Sequence, residues 1–346
     1  MSNDNRGKLV CVTGASGYIG SHVVRELLAR GYRVRATVRD ASDERKVAHL
    51  RELAEGAEHP LEIVSADIMV DGCFDEPFAD CEYICHVAAS VRLTAKDPQR
   101  EIVDVAVRGT ENALQAAARA GTVKRFVLTS SVAAIFDVEA RPGHVYTEDD
   151  WNRDATLTHG PYPLAKTTSE RRAWAFAEDQ SFELLAINPA MVIGPVFCEV
   201  HTRSSASVVR DLLIGKFPAS PRFHVGLVDV RDVARAHAEV MEQPSASGRY
   251  LLQTEGMWLS ELAALMRAHF PDFKKIPRRT MPDPLMYLVA LFDKRLSWSF
   301  LRRSLGRANE VDNSKLVKEL GLALIPVEQS VIDTCQSFID RGLVSR

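Results

Sequence analysis

The sequence has no excess of either charge. Its 43 Lys and Arg against 46 Asp and Glu leave a formal net charge of −3, with no block of like-charged residues. Nucleic acid is therefore offered no electrostatic footprint, and none is expected as a partner. Long apolar runs are also missing. The longest, residues 285–292, falls far short of the roughly 20 residues that cross a bilayer, so no membrane partner is expected. That run reads instead as a buried helix or a pocket wall. Residues 1–8 are polar and lack the apolar stretch of a secretory leader, which points to a cytoplasmic protein. The six cysteines, at 11, 73, 81, 85, 198 and 335, form no C-x-x-C pair and read as reduced thiols, some of them in the core. The ten histidines show no tight ligand spacing, so no metal is expected, and His201 and His224 read as solvated loop residues. No internal repeat or low-complexity linker is present.

What is there is a chain of 346 residues, 46% apolar, with an alternation of strand and helix signals through its first half. Strands are expected near 9–12, 33–38, 61–66, 83–88, 125–128 and 183–187. Helices are expected from Ile19 to a stop at Gly31, over 104–120 with a stop at Gly121, and over 163–178. This rhythm predicts an α/β fold: a Rossmann-type doubly wound parallel sheet with right-handed crossovers and ligands at the strand C-terminal ends. After Asn188-Pro189 the rhythm breaks, and prolines stand at 195, 218, 221, 277, 282 and 284. Segments 227–237 and 250–253 are expected to return to the first lobe. A dinucleotide-binding domain is thus assigned to 1–190 and 225–255. A smaller, discontinuous, mostly helical substrate lobe is assigned to 191–224 and 256–346.

Between the first strand and helix lies Thr13-Gly14-Ala15-Ser16-Gly17-Tyr18-Ile19-Gly20, a G-x-x-G-x-x-G turn. Glycines let backbone N–H groups approach a pyrophosphate, and the helix end adds partial positive charge. Tyr162 and Lys166 form Y-x-x-x-K, a spacing that puts both side chains on one helical face. Ser131 stands upstream at a strand end. Thr129 and Ser130 read equally as hydroxyls that simply close the strand. Carbonyl reduction leaves negative charge on oxygen, which a Ser131 hydroxyl would stabilise. Tyr162 would deliver the proton as general acid, eased by the adjacent Lys166 cation, which would also hold the nicotinamide ribose.

Four motifs occur in order along nearly the whole chain: TGASGYIG, VLTSSVAA, PYPLAKTTSE and NPAMVIGP. With them the sequence resembles the extended short-chain dehydrogenases/reductases. Within these it is most similar to the dihydroflavonol 4-reductase and cinnamoyl-CoA reductase group, through GYRVRATVRD with RKVAHLREL, HVAAS, VRGTENALQAA and VDVRDVARAH. The resemblance implies NADP(H)-dependent reduction of a ketone or aldehyde, with Ser131, Tyr162 and Lys166 as catalytic triad. It puts Gly14, Ser16, Gly17, Tyr18, Ile19 and Gly20 at the pyrophosphate. Asp67 and Ile68 border adenine, Ala88 and Ala89 run under the riboses, and Pro189 and Val192 meet the nicotinamide side.

Three sites depart from the family pattern. Ala106 stands where many extended-family members carry the asparagine of an N-V-x-G-T motif. Phe136 stands where plant flavonoid reductases carry an asparagine that reads substrate hydroxyls, and Asp150-Trp151-Asn152-Arg153 replaces the NWYCY motif. At the end of the second strand, Arg39 can grip a 2′-phosphate by paired hydrogen bonds, and Lys46 can add a second positive charge. Both also read as solvated basic side chains, and Asp40 keeps NAD open. Phe136, Tyr146, Met191, Phe197 and Phe217 are candidates for an apolar substrate pocket; each singly reads equally as core. The expected activity is NADPH-dependent reduction of a hydrophobic or aromatic small-molecule carbonyl. A nucleotide-sugar epimerase or dehydratase, a 3β-hydroxysteroid dehydrogenase, and more remotely a non-catalytic NADP sensor remain open, as does a homodimer.

Overall fold

A computed structural model describes residues 7–89, 92, 94–291 and 298–345 of the chain. Residues 1–6 of the polar N-terminus, Ser90 of the HVAAS motif and Phe292 of the long apolar run lie outside the described residues. The first half alternates β1 (Leu9–Thr13), α1 (Tyr18–Ala29), β2 (Arg33–Val38), α2 (Glu44–Leu53), β3 (Glu62–Ser65), α3 (Asp75–Phe78), β4 (Tyr83–His86), α4 (Asp104–Ala120) and β5 (Arg125–Thr129). Then come β6 (Val145–Tyr146), α5 (Pro161–Ala177), β7 (Glu183–Pro189), β8 (Met191–Ile193), α6 (Ser207–Leu213), β9 (His224–Asp229), α7 (Val230–Glu242), β10 (Gly248–Leu252) and β11 (Glu255–Trp258). The C-terminal part holds α8 (Leu259–His269), α9 (Asp283–Val289), α10 (Trp298–Ser304), β12 (Glu310–Val311), α11 (Ser314–Leu320) and α12 (Val327–Asp340).

Seven parallel strands form the main sheet in the order β10-β7-β5-β4-β1-β2-β3. Helices cover both faces, so the strands are apolar on both sides rather than alternating. β1 and β5 are buried at every residue. One face packs against α1, α2 and α7 through Val23, Leu27, Val47 and Val233. The other packs against α3 and α4 through Phe74, Phe78, Leu114 and Ala117. The chain order reverses between β1 and β4, and their registers bring Thr13 beside both Thr37 and His86. The crevice at the strand C-terminal ends there is where such sheets take ligands.

A separate three-stranded sheet, β11-β9-β8, packs against α8 and α12, and α6 lies on those two helices. Of the segments expected to return to the first lobe, α7 lies against α1 and β10 pairs with β7. β9 does not join the main sheet and pairs with β8 and β11 instead. Strand β4 stops at His86 rather than running on to Ala88, because the Val87 and Ala88 amides leave the ladder to donate to Thr13 Oγ1. Helix α5 starts at Pro161, two residues before the expected Pro163, since proline is also favoured at the first helical position.

The run 285–292 was expected to be buried or to line a pocket; of its described part only Met286 is buried. α9 spans seven residues at the surface and buries only Met286, while Leu285 and Leu288 are 50% and 54% exposed. A helix that touches the protein with one face exposes the rest of an unbroken apolar run. No helix among the described residues is long and apolar enough to cross a membrane.

Candidate active site

The glycine turn is built by close backbone approach. Gly14 has φ 65°, and a Cβ there would stand 2.7 Å from Ala88 Cα. A Cβ at Gly20 would collide with the Gly14 carbonyl oxygen and Ala15 Cα. Residues 14–20 therefore nest against the end of β4 in a way side chains would block. Helix α1 begins at Tyr18 with no side-chain cap, which leaves its first-turn N–H groups for an anion. This cradle fits a dinucleotide pyrophosphate. The side chains of the turn mostly point inward. Tyr18 is buried and donates to the Gly194 carbonyl at 2.7 Å, and Ile19 packs on the core. The Ser16 carbonyl lies 3.2 Å from His201 Nε2. At the neighbouring strand end, Asp67 Oδ1 accepts from the Met69 amide and the Ile68 carbonyl from Asn112 Nδ2.

Tyr162 and Lys166, four residues apart on the first turns of α5, are half-buried and line one cavity. Ile68, Ala88 and Ala89 share that lining, with Ser130 rather than Ser131 from the serine motif. Lys166 Nζ donates to the Thr129 carbonyl at 3.3 Å.

The three hydroxyls of Thr129-Ser130-Ser131 have separate jobs. His237 Nδ1 lies 2.7 Å from the Val233 carbonyl, which can only accept, so that nitrogen carries the proton. His237 Nε2 is then an acceptor, and the Thr129 hydroxyl donates to it at 2.7 Å. Ser130 Oγ donates to Glu170 Oε2 in a very short bond. Ser131, at the N-terminus of the 3-10 turn Val132–Ala134, accepts from the Ala133 amide at 3.1 Å. No bond among the described residues takes the proton of the Ser131 hydroxyl. Of the three, it alone keeps a donor to offer a ligand.

Sequence reading missed the group that holds this strand end. Glu170 is fully buried, one turn beyond Lys166 on α5. It accepts from Arg249 Nε at 2.6 Å, Asn188 Nδ2 at 2.9 Å, Trp174 Nε1 at 3.3 Å and Ser130 Oγ. Asn188 also donates to the Ser131 carbonyl at 3.1 Å. Arg249 stacks 3.9 Å from the Trp151 ring centroid. One carboxylate thus ties α5, β5, β7 and β10 together behind Tyr162 and Ser131. The signal available in sequence was its position four residues after Lys166, on the same helical face.

The remaining expected residues fall in separate places. Arg39 is 81% exposed, with Nε 3.9 Å from Asp67 Oδ2, and Lys46 pairs with Asp43 at 2.8 Å. Asp40 accepts from the Ser42 hydroxyl and amide, which hold its carboxyl below the usual carboxylate range. Pro189 ends β7; Val192 is buried in the main core, with Met191 and Phe217 packed against it. The Phe136 and Tyr146 rings meet at a tilt, 4.9 Å between centroids, in a small cluster with Ile135 and Leu251. Phe197 stacks on His22 of α1 at 4.2 Å. None of these five aromatic and Met side chains lines the cavity of Tyr162 and Lys166.

His201 was expected in solvent and is instead 1% exposed, because the Glu199–Arg203 turn folds under the glycine turn; His224 is half-buried at the start of β9. Burial depresses the His201 pKa to about 3 and the His49 pKa to about 4. Ligand atoms of His49, Cys198 and His201 lie within 4.8 Å of one another. Both His201 nitrogens already have partners, the Phe197 amide on one side and Ser16 and Ser21 on the other. His49 Nε2 is bonded to Ser21 Oγ. The cluster thus braces the glycine turn from beneath. All six cysteines are unpaired.

Residues 10–251 match the NAD dependent epimerase/dehydratase family. The chain is 36% identical to cinnamoyl-CoA reductase CAD2 of Medicago truncatula, over 99% of this chain and 98% of that protein. It is 34% identical to dihydroflavonol 4-reductase of Arabidopsis thaliana, over 76% and 70%. Among solved structures it is similar to Gre2 of Candida albicans in complex with NADPH, at 30% identity and a TM-score of 0.79, covering 96% of this chain and 99% of that one. The chain therefore belongs to the NAD dependent epimerase/dehydratase family, within the extended short-chain dehydrogenases/reductases and their dihydroflavonol 4-reductase and cinnamoyl-CoA reductase group.

Proposed function

We propose that the protein is an NADPH-dependent carbonyl reductase for a hydrophobic or aromatic small molecule. It is an NADP-dependent oxidoreductase of the extended short-chain class. The observation that supports the substrate chemistry is that a phenol and an ammonium, Tyr162 and Lys166, line one cavity, while Ser131, next in the chain to the lining residue Ser130, keeps an uncommitted hydroxyl donor. When bound, the reduced nicotinamide supplies hydride to the carbonyl carbon. Ser131 donates its hydroxyl proton in a hydrogen bond to the carbonyl oxygen and stabilises the negative charge that develops there. Tyr162 transfers its phenolic proton to the same oxygen, completing the alcohol, and regains a proton from solvent. Lys166, fixed at the Thr129 carbonyl, keeps a positive charge beside the phenol and holds ribose hydroxyls. Pro189 and Val192 flank the nicotinamide side.

The test is NADPH oxidation measured over aromatic aldehydes, ketones, dihydroflavonols and steroids. Turnover with a subset of hydrophobic carbonyls is expected. Protein that purifies with tightly held NAD and consumes no NADPH with any of them would move the assignment to an epimerase.

Arg39 lies on the surface beyond β2, its Nε 3.9 Å from Asp67, and Lys46 stands on the first turn of α2. A charge-assisted contact from Arg39 to a 2′-phosphate is worth about tenfold or more in affinity. Arg39→Ala should therefore raise the KM for NADPH about tenfold and leave that for NADH nearly unchanged. Equal effects on both cofactors would remove Arg39 from phosphate recognition.

A further inference from the structure

His86, at the end of β4, is 1% exposed, and its tautomer follows from a count of bonds on Thr13. Thr13 Oγ1 lies 3.1 Å from the Val87 amide, 3.1 Å from the Ala88 amide and 2.9 Å from His86 Nδ1. A hydroxyl oxygen has two acceptor lone pairs, and the two backbone amides fill them. The Thr13 proton must then go to His86 Nδ1, which is bare. The ring is held neutral by burial and by the charge of Lys166, so its single proton sits on Nε2.

That Nε2–H is buried and has no partner among the described residues. His86 lines the cavity of Lys166 and Tyr162, and three hydroxyls of that lining, those of Ser130, Thr110 and Ser169, are engaged elsewhere. Ser130 is bonded to Glu170, and Thr110 and Ser169 to each other and to the Ala106 carbonyl. Ala106, Gly109 and Ala165 wall the space with side chains that accept nothing. An unsatisfied buried N–H is costly and rare, and a buried water needs at least two polar partners. His86 Nε2–H and the Lys166 ammonium are two such donors.

We propose that His86 and Lys166 hold one bound water between them in the cavity enclosed by β4, β5, α4 and α5, and that His86 is through it a positioning residue for Lys166. The water accepts from both donors. It holds the ammonium against the Thr129 carbonyl, on the turn of α5 that carries Tyr162. The effect on turnover rests on the reductase reading; the tautomer and the water do not.

Two measurements test this. In the wild-type protein without cofactor, nitrogen-15 spectra of the histidines should show His86 protonated at Nε2 only, unchanged from about pH 5 to about pH 8. Its Hε2 proton should give a cross-peak to a long-lived water. A proton on Nδ1, or no water contact, overturns the proposal whatever the activity. In turnover, His86→Asn reaches Thr13 but not the cavity, whereas His86→Gln presents an N–H near the Nε2 position. The Asn variant should lose about tenfold or more in kcat with its NADPH Kd within about threefold of wild type, and Gln should recover most of that loss. Wild-type kcat in the Asn variant, or a Gln variant as slow as Asn, overturns it. A wild-type protein without any NADPH turnover strikes the reductase reading and leaves the spectra to decide the water.

Discussion

Tyr162→Phe should abolish turnover while leaving the fold and cofactor binding in place. The substitution removes one oxygen from a half-buried ring at the start of α5, where Pro161 and the helix backbone set the position of the ring. Nothing in the glycine turn or the Arg39 region depends on that oxygen. What is lost is the proton donor to the nascent alkoxide. Positioned general acids contribute about 10²- to 10⁴-fold. A fall in kcat of about 10³-fold is therefore expected, with the NADPH Kd, read by fluorescence titration, within about threefold of wild type. Both numbers matter. A variant that binds no cofactor has lost the site, not the acid. A variant that keeps turnover within about tenfold of wild type places the acid elsewhere.

The second large effect is on stability. Glu170→Gln keeps the shape of the side chain and removes its charge from a site where Glu170 is 0% and Arg249 7% exposed. The Arg249 guanidinium, which also donates to the Glu148 and Asp150 carbonyls, would remain buried without its counter-ion. Breaking a buried pair by removing one partner costs about 3–5 kcal/mol, because the other charge is left uncompensated. Urea unfolding of Glu170→Gln should show a loss of that order. The same variant should also slow turnover, since the Asn188 amide that Glu170 orients holds the Ser131 carbonyl. Wild-type stability in the variant would mean that the pair is no more than a neighbour of the site.

What sequence made legible was local chemistry. The tight turn at residues 14–20 was legible because the close approach of Gly14 to Ala88, and of Gly20 to the Gly14 carbonyl, can be met only by glycine. Helix α4 has both of its expected ends, Asp104 and Ala120, since its stop at Gly121 is written in the chain. The parallel, doubly wound character of the main sheet followed from the alternation of elements.

What sequence could not supply depends on partners far away in the chain. Glu170 is held by a residue 79 positions on, and His86 by one 73 positions back. Neither partner is marked by spacing. His201 looks like a loop residue until the turn around it folds beneath Ser16, 185 positions earlier. The run at 285 misled for the opposite reason. Apolar character invites burial, but α9 has only one face against the protein, and the exposure of the other faces is not a local property.

The most direct measurement is a crystal structure of the complex with NADP⁺ and an unreactive carbonyl or alcohol ligand. The Tyr162 and Ser131 hydroxyls should both lie about 3 Å from the ligand oxygen. The Lys166 ammonium should meet the hydroxyls of the ribose next to the nicotinamide. A ligand oxygen out of reach of both hydroxyls, with the nicotinamide away from Tyr162, would contradict the assignment of the reaction to this crevice.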